Sequence, residues 1–365
     1  MTTPSEQAKS LLISTLYLPK TIETLSNSDW ELLIRCARHS KLLAHIGHKL
    51  DQLGLLSAVP GPVLAHFVAA QHIADYRNRL ALWELNRIRR ALHGLDIKVV
   101  VLKGGAYQLL KLPFAKARLL ADIDILVKKT DLQTVEKCLQ EQGWKTAPLD
   151  DYDQQYYRNW MHEVPPLRHQ ERLIEVDLHH TILPLTSRLR PSPELLMQDA
   201  IDIINSGYQV LSPIDMILHS SVHLFYDAEL TGADFRDLVD LSELIAFFQP
   251  QHEFFFEQLL KRANQLTLQR PLYYTLYFSQ RILKTPVPEN FIEENSGKPT
   301  WLIRKIMHYL VPLALLPEHP DFPRKKVALA RWLLYVRSHF LRMPFHLLIP
   351  HLLKKSRKRI DESMG

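Results

Sequence analysis

Residues 97–127 read IKVVVLKGGAYQLLKLPFAKARLLADIDILV, and this stretch decides the fold. Ile97 to Leu102 is a short, β-branched apolar run, which predicts a buried strand. Lys103, Gly104 and Gly105 follow at once, then a helical AYQLLKL that Pro113 stops. Residues 122–127, DIDILV, predict a second strand. Side chains two apart on a strand share a face. Asp122 and Asp124 therefore point one way, while Ile123, Ile125 and Val127 point into the core.

Outward from this centre the pattern continues for about sixty residues. Thr130, with Gln133 three positions on, predicts a capping box for a helix ending at Gly143. Two further strands are expected, at Gln154–Val164 and at Arg172–His179, with PPLRHQE as the hairpin between them. In the second, Ile174, Val176 and Leu178 alternate with Glu175, Asp177 and His179. Upstream the chain is helical: Asp29 to Leu53 after Ser28 as N-cap, then Pro62 to about Leu95, closed by Gly94. From about Ser212 it is helical again. The expected fold class is α+β, a small mixed sheet flanked by N- and C-terminal helical regions. The expected divisions are residues 1–95, 96–185 and 186–365.

Composition narrows the class. The chain has 365 residues, 46% hydrophobic and 23% charged, which fits a globular protein and excludes a disordered or low-complexity one. Cys36 and Cys138 stand far apart and outside any CxxC pair, so neither a disulfide framework nor a cysteine zinc site is expected. The opening residues lack the basic start of a signal peptide, and no apolar stretch reaches the ~18 residues of a membrane span. A cytoplasmic location is expected. The net charge of +6 and pI of about 9.1 favour anionic partners without naming one.

Two carboxylates on one strand face repel each other unless a cation lies between them. Hard oxygen ligands suit magnesium, and a pair of such ions clamps both oxygens of a phosphoryl displacement. Asp122 and Asp124 read equally as a strand end with two solvated acids. Gly104 and Gly105, between strand and helix, let backbone amides approach a phosphate, with Lys103 as a cation; the alternative is an ordinary tight turn. Asp177 joins the other two acids if its strand pairs beside DIDILV, and it would then bind metal or accept a proton. Otherwise it belongs to a polar outward face.

LKGGAYQLLKLPFAKARLLADIDILVKKTDLQTVEKCLQEQGW, with EVDLHH beyond it, resembles the core of the DNA polymerase β nucleotidyltransferase superfamily. It is most similar to the branch of uncharacterised bacterial nucleotidyltransferases carrying LKG, an arginine and DIDLLV. The resemblance covers residues 95–182 closely, and the flanks only in general pattern. It implies a small mixed sheet of nucleotidyltransferase topology and two magnesium ions. It also implies transfer from a nucleoside triphosphate such as ATP to a small molecule, sugar, peptide or protein. Asp122, Asp124 and Asp177 take the metal-ligand and catalytic positions, and Gly104 and Gly105 the phosphate loop. Arg118 takes the motif arginine, as an orienter or phosphate contact. Many superfamily members have Gly-Ser in the turn; Lys103-Gly104-Gly105 lacks that hydroxyl.

Other residues are expected around this centre. Glu175 and His179 share the face of Asp177, whereas His180 faces away. Arg236 and Asp240, four apart on a helix, are expected to pair near the cleft, with Asp237 beside them. His219, His223 and Asp227 have metal-ligand spacing on a helix, which supports a rival metal hydrolase or an ordinary amphipathic face. The C-terminal tract KKVALARWLLYVRSHFLRMPFHLLIPHLLKKSRKR mixes aromatic, aliphatic and basic residues, which fits peripheral contact with an anionic inner-membrane surface or a helix packed on the core. No nucleic-acid-binding motif is present, so nucleic acid is not an expected partner. A non-catalytic assembly module that keeps the fold is the other rival.

Overall fold

The computed structural model describes residues 3–348, except 147, 149, 173, 229, 345 and 346 and the side chains of 5, 151–153 and 227. One mixed sheet lies at its centre. Its strands are β1 (Val100–Val101), β2 (Asp122–Leu126), β3 (Trp144–Thr146), β4 (Leu167–His169), β5 (Glu175–His179), β6 (Ile201–Ile203) and β7 (Tyr208–Val210). The order across the sheet is β3-β4-β5-β2-β1-β7-β6. β2 runs parallel to β5 and antiparallel to β1, and β1 runs parallel to β7. Helices cover the sheet, giving the α+β class expected from the sequence.

Alternation in β2 sorts its side chains between two cores. Ile123, Ile125 and Val127 join Leu85 and Ile88 of the helix Gly61–Ala91, together with Trp144 and Val176. Leu126 and Val100 face the larger core, which gathers Leu33, Leu218 and Leu238 from helices on both sides of the sheet residues in sequence. Each fully buried aliphatic side chain contributes about 1.5–3 kcal/mol. Asp124 is thus a buried polar exception in a strand covered on both faces, and Asp122 is that strand's exposed first residue.

The segment expected as one helix from Asp29 to Leu53 is two, Asn27–His39 and Leu43–Gln52. The break is a left-handed C-cap at Lys41, φ 56°. Leu42 N–H donates to Ala37 O at 2.8 Å and Lys41 N–H to Arg38 O at 3.1 Å. A lysine where glycine is usual hid this stop from the sequence. The N-cap is Ser26, which accepts from Asp29 N–H, rather than Ser28. The next helix ends at Ala91, and Gly94 turns the chain at φ 88°.

Three local expectations fail for physical reasons. Residues 151–160 form a helix, not a strand, and Tyr156 and Trp160, four apart, meet with ring centroids 5.8 Å apart. The antiparallel partner of β5 is β4, inside the segment taken as a connection. Thr130 caps nothing: the helix Leu132–Glu141 starts after Asp131, and Thr130 Oγ1 donates instead to Asp131 Oδ1 at 3.2 Å. β6 and β7 are each too short for an alternating pattern to announce them. Both cysteines are free thiols. Of the basic C-terminal tract, Lys325–Arg342 is helical, and residues from 349 on lie outside the described residues. Among the described residues, no helix is long and apolar enough to cross a membrane.

Candidate active site

The parallel register of β2 and β5 sets Asp124 opposite Asp177 and Asp122 opposite Glu175. Strand alternation then places Asp122, Asp124 and Asp177 on one surface. Asp122 is exposed at the start of β2, whereas Asp124 is 4% exposed. Lys103 Nζ donates to Asp124 Oδ1 at 2.8 Å, and His179 Nε2 lies 3.1 Å from the same oxygen. Burial opposes the charge of Asp124, but Lys103 and His179 outweigh it and hold the carboxyl well below its ordinary pKa. Burial likewise opposes the charge of Lys103, and Asp124 reverses that, raising the ammonium above its ordinary value. Lys103 keeps this contact from a left-handed backbone, φ 44°, uncommon for a residue with a Cβ.

Asp177 is the opposite case. Its Oδ1 is buried and makes no hydrogen bond. Burial, followed by the charges of Asp124 and Glu163, lifts its pKa to about 8. The two carboxyls are shifted in opposite directions, the split expected of acids sharing a site.

The glycine pair is not an open turn. Gly104 and Gly105 are buried in the first turn of the helix Lys103–Leu109. A Cβ on Gly104 would stand 2.2 Å from both Arg118 Nη1 and Leu120 Cδ2, and one on Gly105 would stand 2.8 Å from Val101 Cγ1. The missing side chains make room for protein atoms. Arg118 is in turn fully engaged. Its Nε donates to Asp240 Oδ2 at 2.6 Å, its Nη2 lies 3.8 Å from Asp237 Oδ1, and its guanidinium sits 5.5 Å from the Tyr107 ring centroid. The expected Arg236–Asp240 pair does not form, because Asp240 is taken by Arg118. Arg236 Nη2 donates to Asp237 Oδ1 at 3.0 Å and its Nη1 to Leu119 O at 3.2 Å. Burial opposes the charge of Asp237, and the two arginines outweigh it, lowering its pKa.

The remaining expected residues divide. Glu175 accepts from Arg168 Nη2 of β4 at 3.1 Å. His180 lines another cavity, with Lys128 and Lys129, and burial followed by the Lys129 charge lowers its pKa. His219 is buried, and burial followed by the Lys103 charge holds it well below its ordinary pKa, while His223 opens a π turn, His223–Asp227. The side chain of Asp227 falls outside the described residues. Among the described residues, His162, Glu163 and His179 each bring one ligand atom within 4.8 Å of the other two. His162 and Glu163 escaped the sequence. Glu163 reaches His179 through an isolated antiparallel bridge, and a single bridge has no periodicity to read.

Lys103, Asp122, Asp124, Arg118, Arg236, Asp237 and Asp240 meet around a cavity of about 110 Å³. Asp122 and Asp124 line this cavity and Asp177 does not, while larger cavities of about 630 and 510 Å³ contain none of the three, so chemistry rather than volume marks the site. No curated protein and no solved structure matches the chain. A family model described as uncharacterised nucleotidyltransferase matches residues 26–284, a span that takes in every residue of this site. Matched over more than half its length, the chain belongs to that nucleotidyltransferase family, transferases that act with a nucleotide substrate.

Proposed function

We propose that the protein moves a nucleotidyl group from a nucleoside triphosphate to an acceptor hydroxyl, with magnesium held by Asp122, Asp124 and Asp177. The observation that carries this reading is the in-register pairing of Asp124 with Asp177 across β2 and β5. Three carboxylates on one surface are the oxygen donors a hard dication takes, and the buried Oδ1 of Asp177 makes no hydrogen bond; their oxygens stand farther apart than the 4.8 Å that joins His162, Glu163 and His179, so a bound dication would draw them together. When bound, magnesium supplies positive charge to the transferred phosphate and its leaving group.

The chain's own residues account for the other requirements. Lys103 brings a fixed cation to the acids, where triphosphate oxygens would lie. Asp177, with a pKa of about 8, is matched to taking a proton from an attacking hydroxyl near neutral pH. Arg118 is a positioning residue: it ties the segment leading into β2 to the helix Phe235–Phe248 through Asp240. At about 110 Å³ the cavity is below the ~300 Å³ of a small-molecule pocket, so the phosphates enter it and the nucleoside lies across its mouth.

Titration with a nucleoside triphosphate tests this reading against the non-catalytic one. Triphosphate binding that needs magnesium and falls at least about tenfold in Asp122→Ala is expected, since a positioned charge contact contributes over ~1.4 kcal/mol. Binding unchanged by the substitution or by magnesium would leave only a scaffold. The acceptor is sought with triphosphate labelled at the α-phosphate in a cell extract.

A second proposal concerns location: peripheral contact with an anionic membrane through the helices Trp301–Leu315 and Lys325–Arg342, which pack together. Trp301, Leu302 and Tyr309 on the first, and Leu329 and Trp332 on the second, are each more than half exposed. Lys305, Lys325 and Lys326 are exposed among them, a charge complement to anionic headgroups. Sedimentation with phosphatidylserine-containing vesicles is expected to fall severalfold when Leu329 and Trp332 are both replaced by serine. Equal sedimentation with purely phosphatidylcholine vesicles, or self-association lost on the same substitution, would overturn it.

A further inference from the structure

Beside the aspartates stands a group of ligating side chains that the proposed transfer does not use. Glu163 Oε2 lies 3.5 Å from His179 Nδ1 and 3.7 Å from His162 Nε2. One ligand atom from each of the three side chains lies within 4.8 Å of the other two. Nitrogen and oxygen ligands ~2.1 Å from a tetrahedral cation stand roughly 3.4 Å apart, so the two contacts of Glu163 need little closure. Both rings are already out of water, at 7% exposed for His162 and 2% for His179.

His179 supplies the independent observation. Its Nδ1 is buried and makes no hydrogen bond, while its Nε2 faces Asp124 Oδ1 at 3.1 Å. A metal-ligating histidine characteristically gives its other N–H to a carboxylate, which fixes the ring and its tautomer. Here the orienting carboxylate is Asp124. Two imidazoles and one carboxylate suit a first-row transition cation, and zinc above all, whereas magnesium prefers oxygen throughout.

The geometry points to a transition-metal site formed by His162, Glu163 and His179, coupled to the aspartate centre through the His179–Asp124 hydrogen bond. With a dication on Nδ1, His179 is a fixed Nε2–H donor to Asp124 and holds that carboxylate in place. Three protein ligands leave at least one position open for water. The site does not depend on the nucleotidyl-transfer reading, and its failure leaves that reading intact.

Cobalt(II) added to the chelator-treated full chain, with magnesium in large excess, tests the assignment. One equivalent is expected to give the visible absorption of a nitrogen- and oxygen-ligated low-coordinate cobalt ion, and zinc should displace it. His162→Ala and Glu163→Gln should each weaken cobalt binding by more than tenfold, whereas Asp122→Asn should leave the spectrum in place. Two results would overturn the proposal. The first is a folded wild-type chain that takes up no cobalt despite free access, leaving only an imidazole between two acids. The second is a spectrum that persists in His162→Ala and disappears in Asp177→Asn, which moves the ion to the aspartates.

Discussion

Asp177→Asn is expected to lower the proposed magnesium-dependent nucleotidyl transfer by about a thousandfold, at nearly unchanged side-chain volume. The asparagine keeps the shape but can neither take the hydroxyl proton nor offer a charged oxygen to a dication. The pH dependence provides a second readout. Burial, then Asp124 and Glu163, lift the Asp177 pKa from 3.8 to about 8 in the folded chain. Between those values the fold keeps a proton that the unfolded chain has released. The resulting stabilisation is complete below about pH 4 and is lost as pH rises through 8. Magnesium takes the deprotonated carboxylate, so its affinity should fall about tenfold per pH unit below pH 8, as a proton must leave for each ion bound. Calorimetry in buffers of different ionisation enthalpy measures that proton. Undiminished transfer, or the same pH slope in the asparagine variant, would remove Asp177 from the site.

Gly104→Ala destabilises the fold by about 1–3 kcal/mol through overpacking alone. The added carbon would sit 2.2 Å from Arg118 Nη1 and Leu120 Cδ2. Side-chain tips can often swing aside, but neither is at liberty here. Leu120 is 1% exposed, and Arg118 is clamped by Asp240 and Asp237. If Arg118 yields, Asp240 becomes a buried charge without its partner, and the cost rises to roughly 3–5 kcal/mol. Denaturant unfolding reads the stability. The same variant should bind triphosphate more weakly, because Arg118 joins the segment leading into β2 to the helix that carries Asp237 and Asp240. Stability equal to wild type would mean that the crowding at Gly104 is relieved by a motion of negligible cost.

The centre of the fold was legible because its signals are short in range. DIDILV shows its two faces within six residues, and the alternation of Glu175, Val176, Asp177 and Leu178 does the same for β5. Their mutual register is a long-range fact, and the sequence could pose it only as a condition. What was hidden arises where tertiary packing overrides local pattern. Lys41 and Lys103 occupy left-handed backbone that composition assigns to glycine. The partner of Arg118 is 122 positions away, which no local spacing reveals. Gly104 suggested backbone open to a ligand; it lines the cavity of the site and is also a recess for an arginine, which no local pattern announces.

The bond from Lys103 to Asp124 means that the resting protein carries its own counterion. An ammonium tethered to the chain neutralises the most buried of the three strand aspartates before any solute arrives, so chelators should leave the fold intact. A dication binding as proposed would have to compete with that tether for one oxygen. Once displaced, the ammonium remains nearby and unpaired, an obvious perch for the polyanion that accompanies the ion. Occupancy by cation and by anion would then be mutually reinforcing, through the exchange of a single side chain.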